Sequence, residues 1–285
     1  MSVLTNTVTT TDVAPAISVN LVSNISRSIR ALQEMLGVSS LIPMSDGAVV
    51  NIYTAAVTEA ASQASEGDEI GLSDVTYSTT TKSITLQKWR KLVTAEAIQK
   101  VGRERAIYDT DAELLATVRG KIKAAFITAV KTGTGTATAA ATFQGQLANN
   151  WAALQVGFED SDIDPVHFVN PADVAAYLGS ASITTQSAFG FDYVEDFLGL
   201  GTVIFNNNVT SGDVWSTAKQ NIRGAYVQAN GSLGQEFDLT ADESGLIGIT
   251  HGRDLSRASI ETLIVSGVTF FPENVAKVYK GTVTP

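Results

Sequence analysis

Hydrophobic positions recur most regularly across residues 110–131 (TDAELLATVRGKIKAAFITAVK), where Leu115, Val118, Ile122, Ala125, Phe126 and Ala129 fall at three- and four-residue steps. That period puts them on one stripe of an α-helix. Thr110 and Glu113 have the spacing of a capping box, in which each side chain satisfies a free backbone N–H. Lys131 suits the negative end of the helix, and Gly133 predicts the left-handed turn that stops it. At 1.5 Å per residue the rod is about 30 Å long, the width of a small domain. One stripe faces one surface, so a sheet is expected across it, with Arg119, Lys121 and Lys123 on the polar side.

The remaining periods are shorter. Residues 1–13 are Thr-rich without a helical period and predict an arm, disordered or extended over another surface. Ile17, Leu21, Ile25, Ile29, Leu32 and Leu36 predict an amphipathic helix over 15–36, stopped at Gly37. Residues 48–56 and 82–92 suggest two paired strands around an acidic stretch, 57–74, that holds Glu59, Glu66, Asp68, Glu69 and Asp74 and no base. A two-stranded hairpin is marginal in water by itself. The stretch is therefore either a floppy acidic loop or an arm that becomes ordered on a neighbouring subunit.

A short helix is predicted over 94–101, and helices over 147–156 and 193–198. Asn170 and Pro171 supply a cap and a first helical position for another. Strands are predicted at 166–169, 203–205, 214–218 and 225–228. Residues 247–280 look β-rich, with Ile260, Leu263, Val265, Val268 and Phe270 in extended runs. To pair with earlier strands this tail must return beside the long helix, which makes the middle region an insertion.

Composition then narrows the classes. Of 285 residues 17% are charged, against roughly 25% in typical soluble domains, which leans toward a subunit that covers its surface with neighbours. There is no cysteine, which removes disulfides and thiolate chemistry. The N-terminus has no basic start or apolar run, so no signal peptide is expected, and no segment approaches a membrane span. The net charge of −10 argues against tight general binding to nucleic acid. Residues 82–131 nonetheless hold eleven of the nineteen Lys and Arg, either a solvated face or one that meets a polyanion or acidic partner.

Catalytic patterns are sparse. His167 and His251 are the two histidines, and His167 is expected as a hydrogen-bonded residue of a strand. No G-x-S-x-G elbow occurs, and Gly133-Thr134-Gly135 lacks the third glycine of a dinucleotide turn. Asp160, Asp162 and Asp164 have the opening spacing of a calcium loop, but Pro165 stands where Gly is needed and Pro171 where the bidentate Glu is needed. No cofactor, metal or enzymatic activity is expected; a soluble metal-dependent enzyme using this cluster is the remote alternative.

The order of elements resembles the major capsid proteins of tailed bacteriophages, whose fold is shared with encapsulins and the herpesvirus capsid floor. The pieces that carry this are the long helix running into VKTGTGT, then HFVNPADVAAYL, FLGLGTVIFNNNVTSGDVW and the closing VTFFPENVAKVYKG. The resemblance implies an α+β fold. An N-terminal arm and helix would span 1–37, a connector 38–47 and an extended β-hairpin loop 48–93. A peripheral domain with its long spine helix would take 94–144, an inserted axial domain 145–245, and C-terminal strands of the peripheral domain 246–285.

It also implies self-assembly as hexamers and pentamers into an icosahedral capsid around double-stranded DNA, with a scaffolding protein and a portal protein as partners. The address would be the virion, after assembly in the host bacterial cytoplasm. Glu66, Asp68 and Glu69 would dock on Arg253 and Arg257 of a neighbour. Arg119, Lys121 and Lys123 would face the lumen and meet scaffold or DNA weakly. Two departures matter. No Lys lies between Asn51 and Thr81, and Lys82 sits at the loop's base, so a non-covalent shell is expected. The arm before the first helix is short, so scaffolding is a separate protein or was already removed. An encapsulin-type compartment with protein cargo is the alternative.

Overall fold

A computed structural model of the chain describes residues 41–58, 72–103, 105–159, 162–178, 185–188, 191–241 and 245–284. The expected arm and helix of 1–37, the acids Glu59, Glu66, Asp68 and Glu69, and Asp160 lie outside these residues.

Three packed sheets surround the long helix, and a two-stranded hairpin projects from the body. The first strands are β1 (Leu41–Met44), β2 (Val49–Thr58), β3 (Asp74–Ser83) and β4 (Gln87–Thr94). Helix α1 (Ala95–Val101) begins at Thr94, whose hydroxyl accepts the Ala97 N–H. A π-helical turn, Arg105–Asp109, then runs directly into α2 (Thr110–Val130). Because the chain enters already helical, Thr110 does not cap. Its hydroxyl donates back to the carbonyls of Ala106 and Ile107 at 2.7 and 2.9 Å, so the expected capping box is absent.

The buried stripe of α2 is Leu115, Val118, Ile122, Phe126, Ile127 and Val130. Ala125 is exposed and Ala129 half-buried, which shifts the stripe by one residue at its C-terminal end. Gly133 does not adopt the predicted left-handed conformation. It is instead a point of close approach: a Cβ there would sit 2.5 Å from the Val278 Cβ.

After α2 come β5 (Gly135–Thr136), α3 (Phe143–Gly157), β6 (Pro165–Val169) and α4 (Pro171–Leu178). Asn170 accepts the Ala172 N–H at 2.9 Å, the predicted cap. Then follow β7 (Gln186–Ala188), β8 (Phe191–Val194), β9 (Thr202–Phe205), β10 (Asp213–Ala218), β11 (Ile222–Val227), β12 (Thr240–Ala241), β13 (Ile247–Asp254), β14 (Ser259–Ser266), β15 (Val268–Pro272) and β16 (Tyr279–Thr282). The helix predicted over 193–198 is instead the end of β8 and a single 3₁₀ turn, with Asp196 and Leu198 at φ 47° and 56°. Left-handed residues just before and inside that turn leave no room for α-helix.

The sheets are β12-β13-β14-β4, β1-β11-β15 and the seven-stranded β5-β16-β10-β6-β9-β8-β7. Phe126 of α2 sits at their junction, edge-on to Phe168 of β6 at 5.5 Å and to Phe270 of β15 at 5.2 Å. The other face of the seven-stranded sheet buries Phe143, Leu147, Val174, Phe197 and Val203 in a second cluster.

Two pairings differ from expectation. β2 pairs with β3 over ten residues, from Val49 opposite Ser83 to Thr58 opposite Asp74, while 87–94 leaves the hairpin and pairs with β14. β3 is missed by pattern because it is exposed along almost its whole length and so shows no alternation of apolar and polar residues. The tail does return beside α2 through β14 and β15, but β16 lies between β5 and β10. The expected boundary at 245/246 therefore does not separate two sheets.

Candidate assembly interface

The arm leaves the body at Ile52, which is buried, and beyond it Tyr53, Val57, Val75 and Tyr77 are exposed. Its cohesion is the β2–β3 ladder and local polar contacts such as Thr54 Oγ1 to Ser78 Oγ at 2.6 Å. A two-stranded ribbon with solvent on both sides is marginally stable at best.

The sequence-selected bases fall in two places. Arg253 and Arg257 flank the tip of the β13–β14 hairpin, where Arg257 pairs with Asp254 at 3.6 Å and Leu255 stands 89% exposed between them. Lys121 of α2 lies over the Trp89 ring of β4 at 5.9 Å. Arg119 and Lys123 are four residues apart and share the opposite flank. Burial lowers the Lys123 pKa, Arg119 adds to this, and Asp192 of β8 opposes it. The three bases of α2 thus do not share one face.

A buried ionic cluster escaped the sequence. Asp111, fully buried in the first turn of α2, meets Lys91 of β4 at 2.7 Å and His251 of β13 at 2.8 Å. Lys91 also donates to the Ile107 carbonyl at 2.8 Å and to Thr110. Lys91, Thr262 and His251 lie directly opposite one another across three strands, a polar row beneath the helix start. Burial alone would raise the Asp111 pKa, but hydrogen bonds from His251 and Lys91 and their charges hold it below its ordinary value. The cluster fastens the helix start, where a carboxylate also suits the dipole, to the sheet.

His167 lies in a second buried network. Its Nδ1 meets Ser216 Oγ at 2.7 Å and its Nε2 faces the Leu200 carbonyl at 3.1 Å. The carbonyl fixes the proton on Nε2, so Nδ1 accepts from Ser216, whose oxygen accepts from Asn150 at 2.7 Å. Asn150 in turn accepts from Gln146 at 2.7 Å, and Gln146 accepts the Ala140 N–H at 2.8 Å. Full burial lowers the His167 pKa to about 4, leaving a neutral ring with both nitrogens committed. It is a core residue.

Of the carboxylates in the calcium-like spacing, Asp162 is exposed and Asp164 accepts from Gln220 at 3.3 Å. Among the described residues no three His, Asp or Glu side chains gather as metal ligands, and no helix is long and apolar enough to cross a membrane.

No protein-family model matches the chain, and no curated protein matches its sequence. Solved structures do. The Cyanophage A-1(L) capsid protein aligns at a TM-score of 0.58 and 9% identity, over 88% of this chain and 92% of its own. Mycobacterium phage Che8 aligns at 0.53 and 13%, over 99% and 94%. The SrpI encapsulin of Synechococcus elongatus aligns at 0.54 and 10%, over 86% and 84%. The chain has the fold common to tailed-phage capsid proteins and encapsulins.

Proposed function

We propose that this chain is the major capsid protein of a tailed phage. It assembles as hexamers and pentamers into an icosahedral shell that encloses double-stranded DNA. The observation that carries this is the projecting β2–β3 arm, uncovered by the rest of the chain and set on a capsid fold. A fold alone does not assign a function; an arm that is marginal unless it lies on a neighbour supports assembly.

In this reading the extended loop is the hairpin arm of 49–83, since 87–94 belongs to the β14 sheet, the spine helix belongs to a peripheral domain, and the axial domain expected over 145–245 points to the capsomer centre. The acids Glu66, Asp68 and Glu69 dock on Arg253 and Arg257 of a neighbour. Of the α2 bases, Arg119 and Lys123, which share one flank, face the lumen, where scaffolding protein or DNA meets them weakly, and Lys121 is left out of that face by its place over Trp89. A portal protein occupies one vertex, and the shell is held by non-covalent contacts. The protein's role is structural and its address the virion, after assembly in the host cytoplasm. The likeness to an encapsulin supports a second reading, a compartment with protein cargo.

Electron microscopy of the purified chain tests assembly. Closed shells or rings of six and five are expected; a monomer at every concentration and salt condition overturns the proposal. Particles isolated with nuclease-protected DNA favour the phage reading, and particles filled with a single enzyme favour the compartment.

A further inference from the structure

The register of the arm sorts its side chains by chemistry. Directly opposed residues of an antiparallel pair share a face. One face carries Val49, Asn51, Tyr53, Ala55 and Val57 on β2, with Thr81 opposite Asn51, Thr79 opposite Tyr53, Tyr77 opposite Ala55 and Val75 opposite Val57, and is apolar toward its far end. The other face sets Thr54 against Ser78, Ile52 against Thr80, and Thr58 against Asp74. Beyond the buried Ile52, that second face is hydroxyl and carboxylate apart from Ala56, which stands opposite Thr76. On the first, Tyr53 and Tyr77 are 64% and 72% exposed, and Val57 and Val75 are exposed with them.

Toward its far end this apolar face is left exposed, with Val57, Val75 and Tyr77 uncovered. Near the root, Tyr53, Thr54 and Ala55 help to line an open cleft of about 390 Å³, with Phe158, Ile163 and Lys277 also in its walls. Contiguous exposed apolar surface of this kind marks an interaction site, and tyrosine is enriched in such surfaces because it supplies area with a polar tip.

Charge points to the occupant. The stretch 57–74 that contains the arm's end carries five acids and no base, whereas 82–131 of the same polypeptide holds eleven of its nineteen Lys and Arg. Lys88, Arg90 and Lys121 of that basic strip are exposed at or beside β4, together with Leu92, and β4 is an edge strand of its sheet. The chain therefore presents both an acidic, apolar-faced arm and a basic, partly apolar surface.

We infer that the face bearing Val49, Tyr53, Val57, Val75 and Tyr77 is the seat of the arm on a second copy of this chain. The Thr54–Ser78 face is turned away from the contact. This deepens the shell-forming function proposed above and rests on it.

The absence of native cysteine makes the test direct. Tyr77→Cys and Ser78→Cys place single thiols on adjacent residues of opposite faces. In assembled particles Tyr77→Cys should lose its reactivity toward a maleimide and regain it when the particles are dissociated, while Ser78→Cys reacts in both states. As a second measurement, the Tyr53→Glu/Tyr77→Glu double variant should stay as subunits with an unchanged melting temperature, and Thr54→Glu/Ser78→Glu should still form particles. Particles in which Tyr77→Cys stays reactive, or in which Ser78→Cys is the protected site, overturn this inference alone. A wild-type chain that never assembles overturns the shell-forming function and this inference with it.

Discussion

The arm and the seven-stranded sheet obey different physics within one chain. The sheet buries apolar side chains on both faces, and its inner polar groups, from His167 through Ser216 and Asn150 to Gln146, are linked in an unbroken hydrogen-bond chain. The arm holds ten cross-strand pairs and almost no buried side chain past Ile52. Secondary structure is equally regular in both, so regularity does not tell a self-sufficient region from a dependent one; burial does. The sheet reaches its energy minimum within the chain, and in the proposed shell the arm would reach it on another molecule.

The widest separation between the two regions should appear in core truncation. Phe126→Ala removes a ring that touches both Phe168 and Phe270, and should cost about 3–5 kcal/mol in denaturant unfolding of the subunit. A cost under about 1 kcal/mol would mean that the junction of sheets is not the core, since surface substitutions fall in that range.

Acid should sharpen the contrast next. The fold holds His167 neutral, with its pKa lowered from 6.5 to about 4, so the unfolded chain binds more protons between these values. Stability is complete above the unfolded pKa and falls as pH drops toward the folded one, by about 3 kcal/mol for a shift of this size. His167→Gln should flatten the unfolding free energy across that window; an unchanged pH slope would place the sensitivity elsewhere. Asp111 adds in the same direction lower down, because its depressed pKa means that its contribution is lost as pH falls through the folded value.

The smallest effect on folding is expected from the acidic stretch 57–74. Reversing Glu66, Asp68 and Glu69 to Lys should change subunit stability by no more than about 0.5 kcal/mol, yet impair assembly, because weak exposed pairs of about 0–1 kcal/mol repeat at every contact of a shell. Normal particles from this variant would remove the proposed docking on Arg253 and Arg257.

What the sequence disclosed follows the same division. The long helix was legible because one sheet-facing stripe imposes a 3.6-residue period on its apolar residues. Its ends were not: the π-turn before Thr110 and the close approach of Gly133 to Val278 are set by neighbours far along the chain. β3 was illegible because a strand with solvent on both sides carries no alternation. Lys91, Asp111 and His251 were invisible as a group because the charge that pairs with Asp111 lies 20 residues before it and the imidazole 140 after. The capsid resemblance was legible through element order, a property of topology that survives at the 9–13% identity seen in the aligned shells.

The position of β16 has a consequence for biosynthesis. Until residues 279–282 leave the ribosome, β10 has an open edge and β5 has no strand to join. Nascent chains therefore lack a finished seven-stranded sheet. The edge of β10 is thus the last part of this sheet to be covered, and it is covered by the last strand of the chain to be made.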